Sequence, residues 1–206
     1  MDDNKINIEE IIKVSIMGAP NAGKSTLLNS ILKQKVSIVS PKPNTTRDAI
    51  MGIYTKDNKQ IIFMDTPGIG NKNTKDDLKL RKIARRTAAD SDLYIFIFDG
   101  SKKIPGQILT YCNYIENKIC IINKMDIIKK SRALPLASEL SAYFSDIFFI
   151  SGLKSDGINE IIDYILSKTY IHPWLFNAFD YNDLKNGEFL KELAREVVFN
   201  LFEHEI

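Results

Sequence analysis

Residues 18–25 read Gly18-Ala19-Pro20-Asn21-Ala22-Gly23-Lys24-Ser25, and far downstream the chain reads Asn123-Lys124-Met125-Asp126. The first run has the Gly-x4-Gly-Lys-Ser spacing, in which two glycines let the backbone curl until its amides face phosphate oxygens. Lys24 can then reach the β and γ oxygens and the Ser25 hydroxyl can ligate magnesium, with Thr26 closing the phosphate-binding loop. The second run names the base. Asp126 can accept hydrogen bonds from both the N1 and N2 donors of guanine, whereas adenine offers an acceptor at the first position and no donor at the second. Asn123 is expected to tie this loop to the phosphate loop, the Lys124 stem to lie along the base, and Met125 to complete the turn. A charge-assisted pair to the base is strong enough to exclude ATP.

Between these runs, Asp65-Thr66-Pro67-Gly68-Ile69 follows the apolar stretch 61–64. Alone, Asp-Thr-Pro-Gly is an ordinary turn. Downstream of a phosphate loop it becomes a γ-phosphate sensor, with Asp65 holding magnesium through water and Gly68 offering its amide. Pro43-Asn44-Thr45-Thr46-Arg47 lies in a polar stretch where Thr46 can complete the magnesium shell, so this loop would be ordered by triphosphate and released after hydrolysis. Ser151-Gly152-Leu153 follows a last apolar run, and its amides can bind the guanine carbonyl oxygen.

These residues need a scaffold that brings loops together, and the periodicity supplies one. Apolar runs at 11–17, 93–98, 119–122 and 147–150 read as buried strands separated by segments of helical length. Segments 49–55 and 60–64 flank a polar turn, Lys56-Asp57-Asn58-Lys59, and predict an antiparallel hairpin at one edge. The expected fold is α/β, a doubly wound, mostly parallel sheet with its ligands at the carboxyl ends of the strands. A helix over 158–168 closes the pattern. Tyr170-Ile171-His172-Pro173-Trp174 marks a boundary, giving domains 1–170 and 171–206. In the second, Phe189, Leu190, Leu193, Ala194, Val197, Val198, Leu201 and Phe202 recur at helical spacing.

Composition narrows the field without deciding it. The 206 residues are 44% hydrophobic and 26% charged, and 28 Lys and Arg against 26 acidic residues leave a net charge of +2, so any nucleic-acid or membrane contact must be local. A basic stretch, Lys79, Arg81, Lys82, Arg85 and Arg86, is either a solvated helix face or a contact, switched by nucleotide state, to RNA or to the second domain. Cys112 and Cys120 are the only cysteines and fit a reducing cytoplasm, with Cys120 packed in a core strand. Two histidines cannot build a zinc cluster. No apolar stretch reaches the roughly 18 residues of a membrane-spanning helix.

Taken in this order, the motifs resemble the TRAFAC-class GTPases, and their flanks resemble the Era family of bacterial ribosome-assembly GTPases. The likeness runs through residues 18–29, then Gln34-Lys35-Val36-Ser37-Ile38-Val39-Ser40, Thr45-Thr46-Arg47 and Ile50-Met51-Gly52-Ile53. Pro173-Trp174-Leu175, then Glu192-Leu193-Ala194-Arg195-Glu196 and Phe199, resemble that family's linker and the opening helix of its KH RNA-binding domain, an α+β unit that is incomplete here: the family's Gly-x-x-Gly loop is absent, since no two glycines lie three apart. Ser151-Gly152 stands where the family usually has Ser-Ala.

The resemblance implies a GTP-hydrolysing switch acting in small-subunit assembly and rRNA maturation. Its cofactors would be GTP or GDP and magnesium, and its partners the small ribosomal subunit and its rRNA in the full-length form. It also implies a cytoplasmic monomer that can associate peripherally with the inner membrane. A tRNA-modification or tandem-domain GTPase, and a nucleotide-dependent binding module with incidental hydrolysis, are the alternatives. Lys24, Thr46, Asp65 and Gly68 would form the catalytic framework, with Ser25, Thr46 and Asp65 on magnesium. Ile69 occupies the position where Ras-like enzymes carry a water-orienting glutamine, which predicts slow intrinsic hydrolysis. Related GTPases with asparagine at the position of Asn21 use a potassium ion near the phosphates, so Asn21 is expected either to serve such an ion or only to brace the loop.

Overall fold

The computed structural model describes residues 8–35, 50–65 and 91–180. Thr45, Thr46, Arg47, Thr66, Pro67, Gly68, Ile69, the basic stretch 79–86 and the periodic segment 189–202 lie outside the described residues.

In chain order the described elements are β1 (Glu10–Gly18), α1 (Lys24–Leu32), β2 (Ile50–Lys56), β3 (Lys59–Asp65), β4 (Leu93–Asp99), α2 (Gly106–Cys112), β5 (Lys118–Asn123), α3 (Lys130–Leu140), β6 (Ile147–Phe149), α4 (Ile158–Leu166) and β7 (Tyr170–Ile171). The sheet runs β2-β3-β1-β4-β5-β6, and β7 pairs with β1. Neighbours from β3 to β6 are parallel, while β2 pairs antiparallel with β3 as the edge hairpin. From β1 the chain moves to one side, reaching β3, and then crosses to β4 on the other. That reversal opens a crevice at the carboxyl end of β1, where an open α/β sheet binds its ligand.

Alternation along the central strands divides the core between the two sheet faces. Ile12, Val14 and Ile16 of β1, Leu93, Ile95 and Ile97 of β4, and Ile119 and Ile121 of β5 pack with Leu27, Leu28 and Ile31 of α1 and Ile161, Ile162 and Ile165 of α4. Phe96, Phe98, Cys120 and Ile122 point the other way, toward Ile108 and Cys112 of α2 and Leu136 and Leu140 of α3. Burial on both faces is why these strands read as unbroken apolar runs. Burial also pushes the Cys112 thiol up to about 12 and raises that of Cys120, so both are unreactive core side chains.

Two features of the amino-end rim have no sequence signal. β7 continues the sheet where β4 has not yet begun, pairing Tyr170 with Ile11 and Ile171 with Glu10. Beyond it the chain is fastened to the hairpin: Trp174 donates its indole N–H to Asn58 O (3.1 Å) and its amide to Glu9 Oε2 (2.8 Å). Gln60, wholly buried in β3, accepts the amides of Leu175 and Phe176 (both 3.2 Å) and donates to Phe176 O (3.0 Å). A buried carboxamide left without such partners would cost about 1–3 kcal/mol.

Candidate functional site

β1 delivers the phosphate loop into the crevice and α1 leaves it. A Cβ at Gly18 would lie 2.5 Å from Ile97 O, so only glycine lets the end of β1 pass this close to β4. Gly23 has φ +103° and precedes the first turn of α1, in which no side chain caps the amides and no acidic residue occurs. An anion fits that end of the helix. Asn21 also holds a positive φ of 62°, and Ala22 donates its amide to Ala19 O (3.2 Å), closing the turn.

Lys24 is 6% exposed, and its ammonium donates to Ala19 O across the loop (3.1 Å). Burial lowers its pKa, and the Asp65 carboxylate opposes that shift. Ser25 donates its hydroxyl to Asp65 Oδ2 (2.7 Å), bringing the start of α1 against the end of β3. A buried hydroxyl and carboxylate make a hard-oxygen pair that suits magnesium. Among the described residues, no group of three or more His, Cys, Asp or Glu is placed to hold a metal ion.

The base loop is assembled by side chains. Asn123, 2% exposed at the end of β5, donates Nδ2–H to Ala22 O (3.0 Å) and accepts at Oδ1 from the amides of Lys124 (2.7 Å) and Gly152 (2.9 Å). One carboxamide thus joins the phosphate loop, the base loop and the loop after β6. Met125 donates its amide to Ile150 O (3.0 Å). Ser151 donates its hydroxyl to Asp126 Oδ1 (2.6 Å), and that bond is the main reason Asp126 titrates below the ordinary carboxylate range. Of the amides after β6, Ser151 N–H goes to Asp156 O (3.1 Å) and Gly152 N–H to Asn123. Neither bond uses the amide of Leu153, a residue 79% exposed.

Sequence reasoning missed Asp99. It ends β4, in register with Asn123, and its Oδ2 accepts from the Lys124 ammonium (2.8 Å). The signal was available: an acid directly after an apolar strand, as at Asp65. Arg132 on α3, also missed, donates to Gly100 O (3.0 Å) and Ser101 O (2.7 Å) and has no motif to mark it.

A family model described as "50S ribosome-binding GTPase" matches residues 13–124. Curated relatives include GTPase Era of Sinorhizobium medicae, 35% identical over 90% of this chain and 62% of its own length. GTPase Era of Mycoplasmopsis pulmonis is 38% identical over 96% of this chain and 69% of its own. The first relative's length is therefore spanned only in part. Among solved structures, Era in complex with MgGDPNP and nucleotides 1506–1542 of 16S ribosomal RNA superposes with a TM-score of 0.84 at 33% identity, covering 91% of this chain and 66% of that one. A single-residue variant of Aquifex aeolicus Era bound to GDP.AlF4- gives 0.87 at 33% identity, covering 96% and 69%.

Proposed function

This chain belongs to the Era family of GTPases, and we propose that it carries the GTP-binding and GTP-hydrolysing unit of a switch acting in small-subunit assembly and rRNA maturation. The observation that carries the nucleotide reading is the Asn123 carboxamide, which holds the phosphate loop at Ala22 and the base loop at Lys124 in one piece. Support for the ribosomal role comes from the family member solved with a 16S rRNA segment, and from the likeness of Pro173-Trp174-Leu175 to the family's linker. A tRNA-modification or tandem-domain GTPase does not share that segment.

Lys24 neutralises charge on the β- and γ-phosphates, and the amides of residues 18–25 bind their oxygens. Ser25 and Asp65, together with Thr46, would hold magnesium, which would supply charge neutralisation for phosphoryl transfer. Gly68 would offer its amide to the γ-phosphate, and Asn21 would help hold a potassium ion, which would supply further positive charge for hydrolysis. Asp126 reads the N1 and N2 donors of guanine, and the Leu153 amide meets the carbonyl oxygen. Ile69 cannot orient water, so hydrolysis by this chain is slow until a partner or potassium assists. Residues 1–170 form the GTPase domain and 171–206 the linker and opening of the RNA-binding domain.

Asp126→Asn tests the nucleotide reading. Xanthine carries a second carbonyl where guanine has its amine, so the variant is expected to shift preference from GTP toward XTP by about 10⁴-fold, measured by competition against a fluorescent nucleotide. Unchanged GTP selectivity would overturn the reading. Multiple-turnover hydrolysis with and without small ribosomal subunits, in potassium and in sodium, tests the switch. Fast turnover by the isolated chain in sodium, or no response to subunits, counts against it.

A further inference from the structure

Lys124 has an unusual support. Its backbone is left-handed, φ 68°, and its side chain is about one-third exposed, yet the ammonium is fixed 2.8 Å from Asp99 Oδ2. Asp99 is in turn held firmly. Its side chain is 5% exposed, and Oδ1 accepts both the amide (2.9 Å) and the hydroxyl (2.5 Å) of Ser101. Gly100 donates its amide to Asn123 O (3.0 Å), and Arg132 grips the carbonyls of Gly100 and Ser101 from α3. Lys102 approaches Asp99 Oδ2 at 3.7 Å from a side chain 61% exposed, a rim contact of little strength. Burial would raise the Asp99 pKa, but the hydrogen bonds from Lys124 and Ser101 more than offset it, so the carboxylate is an anion at neutral pH.

A free lysine stem loses rotamer entropy when it is laid along a surface. A stem already anchored at its far end loses that freedom on folding, so ligand binding does not bear it. We propose that Asp99 is a positioning residue for base recognition: through Lys124 it sets the lysine stem against the plane of the guanine, and Arg132 holds the loop that presents it. The inference rests on the guanine-nucleotide reading above. Asp99 acts on the face of the base, whereas Asp126 acts on its edge, and the two contributions are separable.

Release of fluorescent GDP and IDP from the full 206-residue chain tests this by stopped flow, using Asp99→Asn, Lys124→Met and the double variant. Inosine lacks the N2 amine but keeps the purine face. Asp99→Asn is expected to speed GDP release about tenfold, the loss of one charge-assisted bond, and to speed IDP release by the same factor. In the Lys124→Met background the substitution should change release by less than about twofold. An equal effect in both backgrounds, or a loss confined to GDP, overturns the proposal. If Asp99→Asn does not fold, Arg132→Gln is compared the same way, with a smaller acceleration that vanishes when Lys124 is replaced; persistence there also overturns it. The premise fails separately, and the inference with it, if the wild-type chain does not prefer GDP to ADP.

Discussion

The loop after β1 and the loop after β5 serve one crevice but are built from different material. The phosphate loop is a continuous stretch whose shape comes from its own backbone: Gly18 passes Ile97 without room for a Cβ, Gly23 turns left-handed, and Ala22 bonds back to Ala19. The base loop is held by side chains: its own Asn123 ties it to Ala22 and Gly152, while Asp99 at the end of β4 and Ser151 beyond β6 hold it from outside. The first tolerates no added atom at its glycines. The second depends on side-chain bonds that reach to other segments of the chain. A phosphate oxygen can be bound by any well-placed amide, whereas reading a base edge needs a particular carboxylate held at a particular angle.

The largest effect expected from this contrast is at Gly23. A Cβ there would lie 2.1 Å from Asn123 Nδ2 on a backbone with φ +103°, so Gly23→Ala should cost about 3 kcal/mol and abolish nucleotide binding. Chemical denaturation with a parallel GDP titration measures both, and a tolerated alanine would erase the distinction between the loops.

Ser151→Ala should act on the base side alone. The folded-state pKa of Asp126 is lowered, chiefly by the Ser151 hydroxyl, so its charged acceptor is present above the ordinary aspartate value of 3.8 and is lost as pH falls through the lowered value. Without the hydroxyl that loss moves to higher pH, and GDP affinity measured from neutral to acid pH should decline earlier than in the wild type. Coincident acid limbs would show that Ser151 does not tune Asp126.

The smallest effect is at Gly152. A Cβ there would meet Asn123 Oδ1 at 3.4 Å and Thr26 Cγ2 at 3.6 Å, which is ordinary contact. Gly152→Ala should leave GDP binding intact and stabilise the chain by about 0.5 kcal/mol through a less flexible unfolded state, visible as a small rise in melting temperature. A marked loss of affinity would mean that the loop after β6 is as intolerant as the phosphate loop.

Much of the architecture was legible because it is written locally. The apolar runs 93–98 and 119–122 mark the strands Leu93–Asp99, longer by one residue at its carboxyl end, and Lys118–Asn123, longer by one residue at each end. The hairpin was read from Lys56-Asp57-Asn58-Lys59, and Asp57 supplies its positive φ of 55°. β7 was not read, because two exposed residues carry no periodicity and are held by backbone pairing with β1. Gln60 gave no sign of its role either. A glutamine beside a turn reads as solvated, and only the return of Leu175 and Phe176 makes it a buried hub.

By itself the sequence determined the order of the long strands, the phosphate-loop pattern and the base-reading motif, because each depends on residues within a few positions of one another. Tertiary structure alone decided that Asn123 would clasp Ala22, that Ser151 would aim Asp126, and that Asp99 would anchor Lys124. Those pairs lie 101, 25 and 25 residues apart. Parallel strands bring their carboxyl ends to one rim however long the crossovers between them, so groups that no local pattern connects become neighbours there.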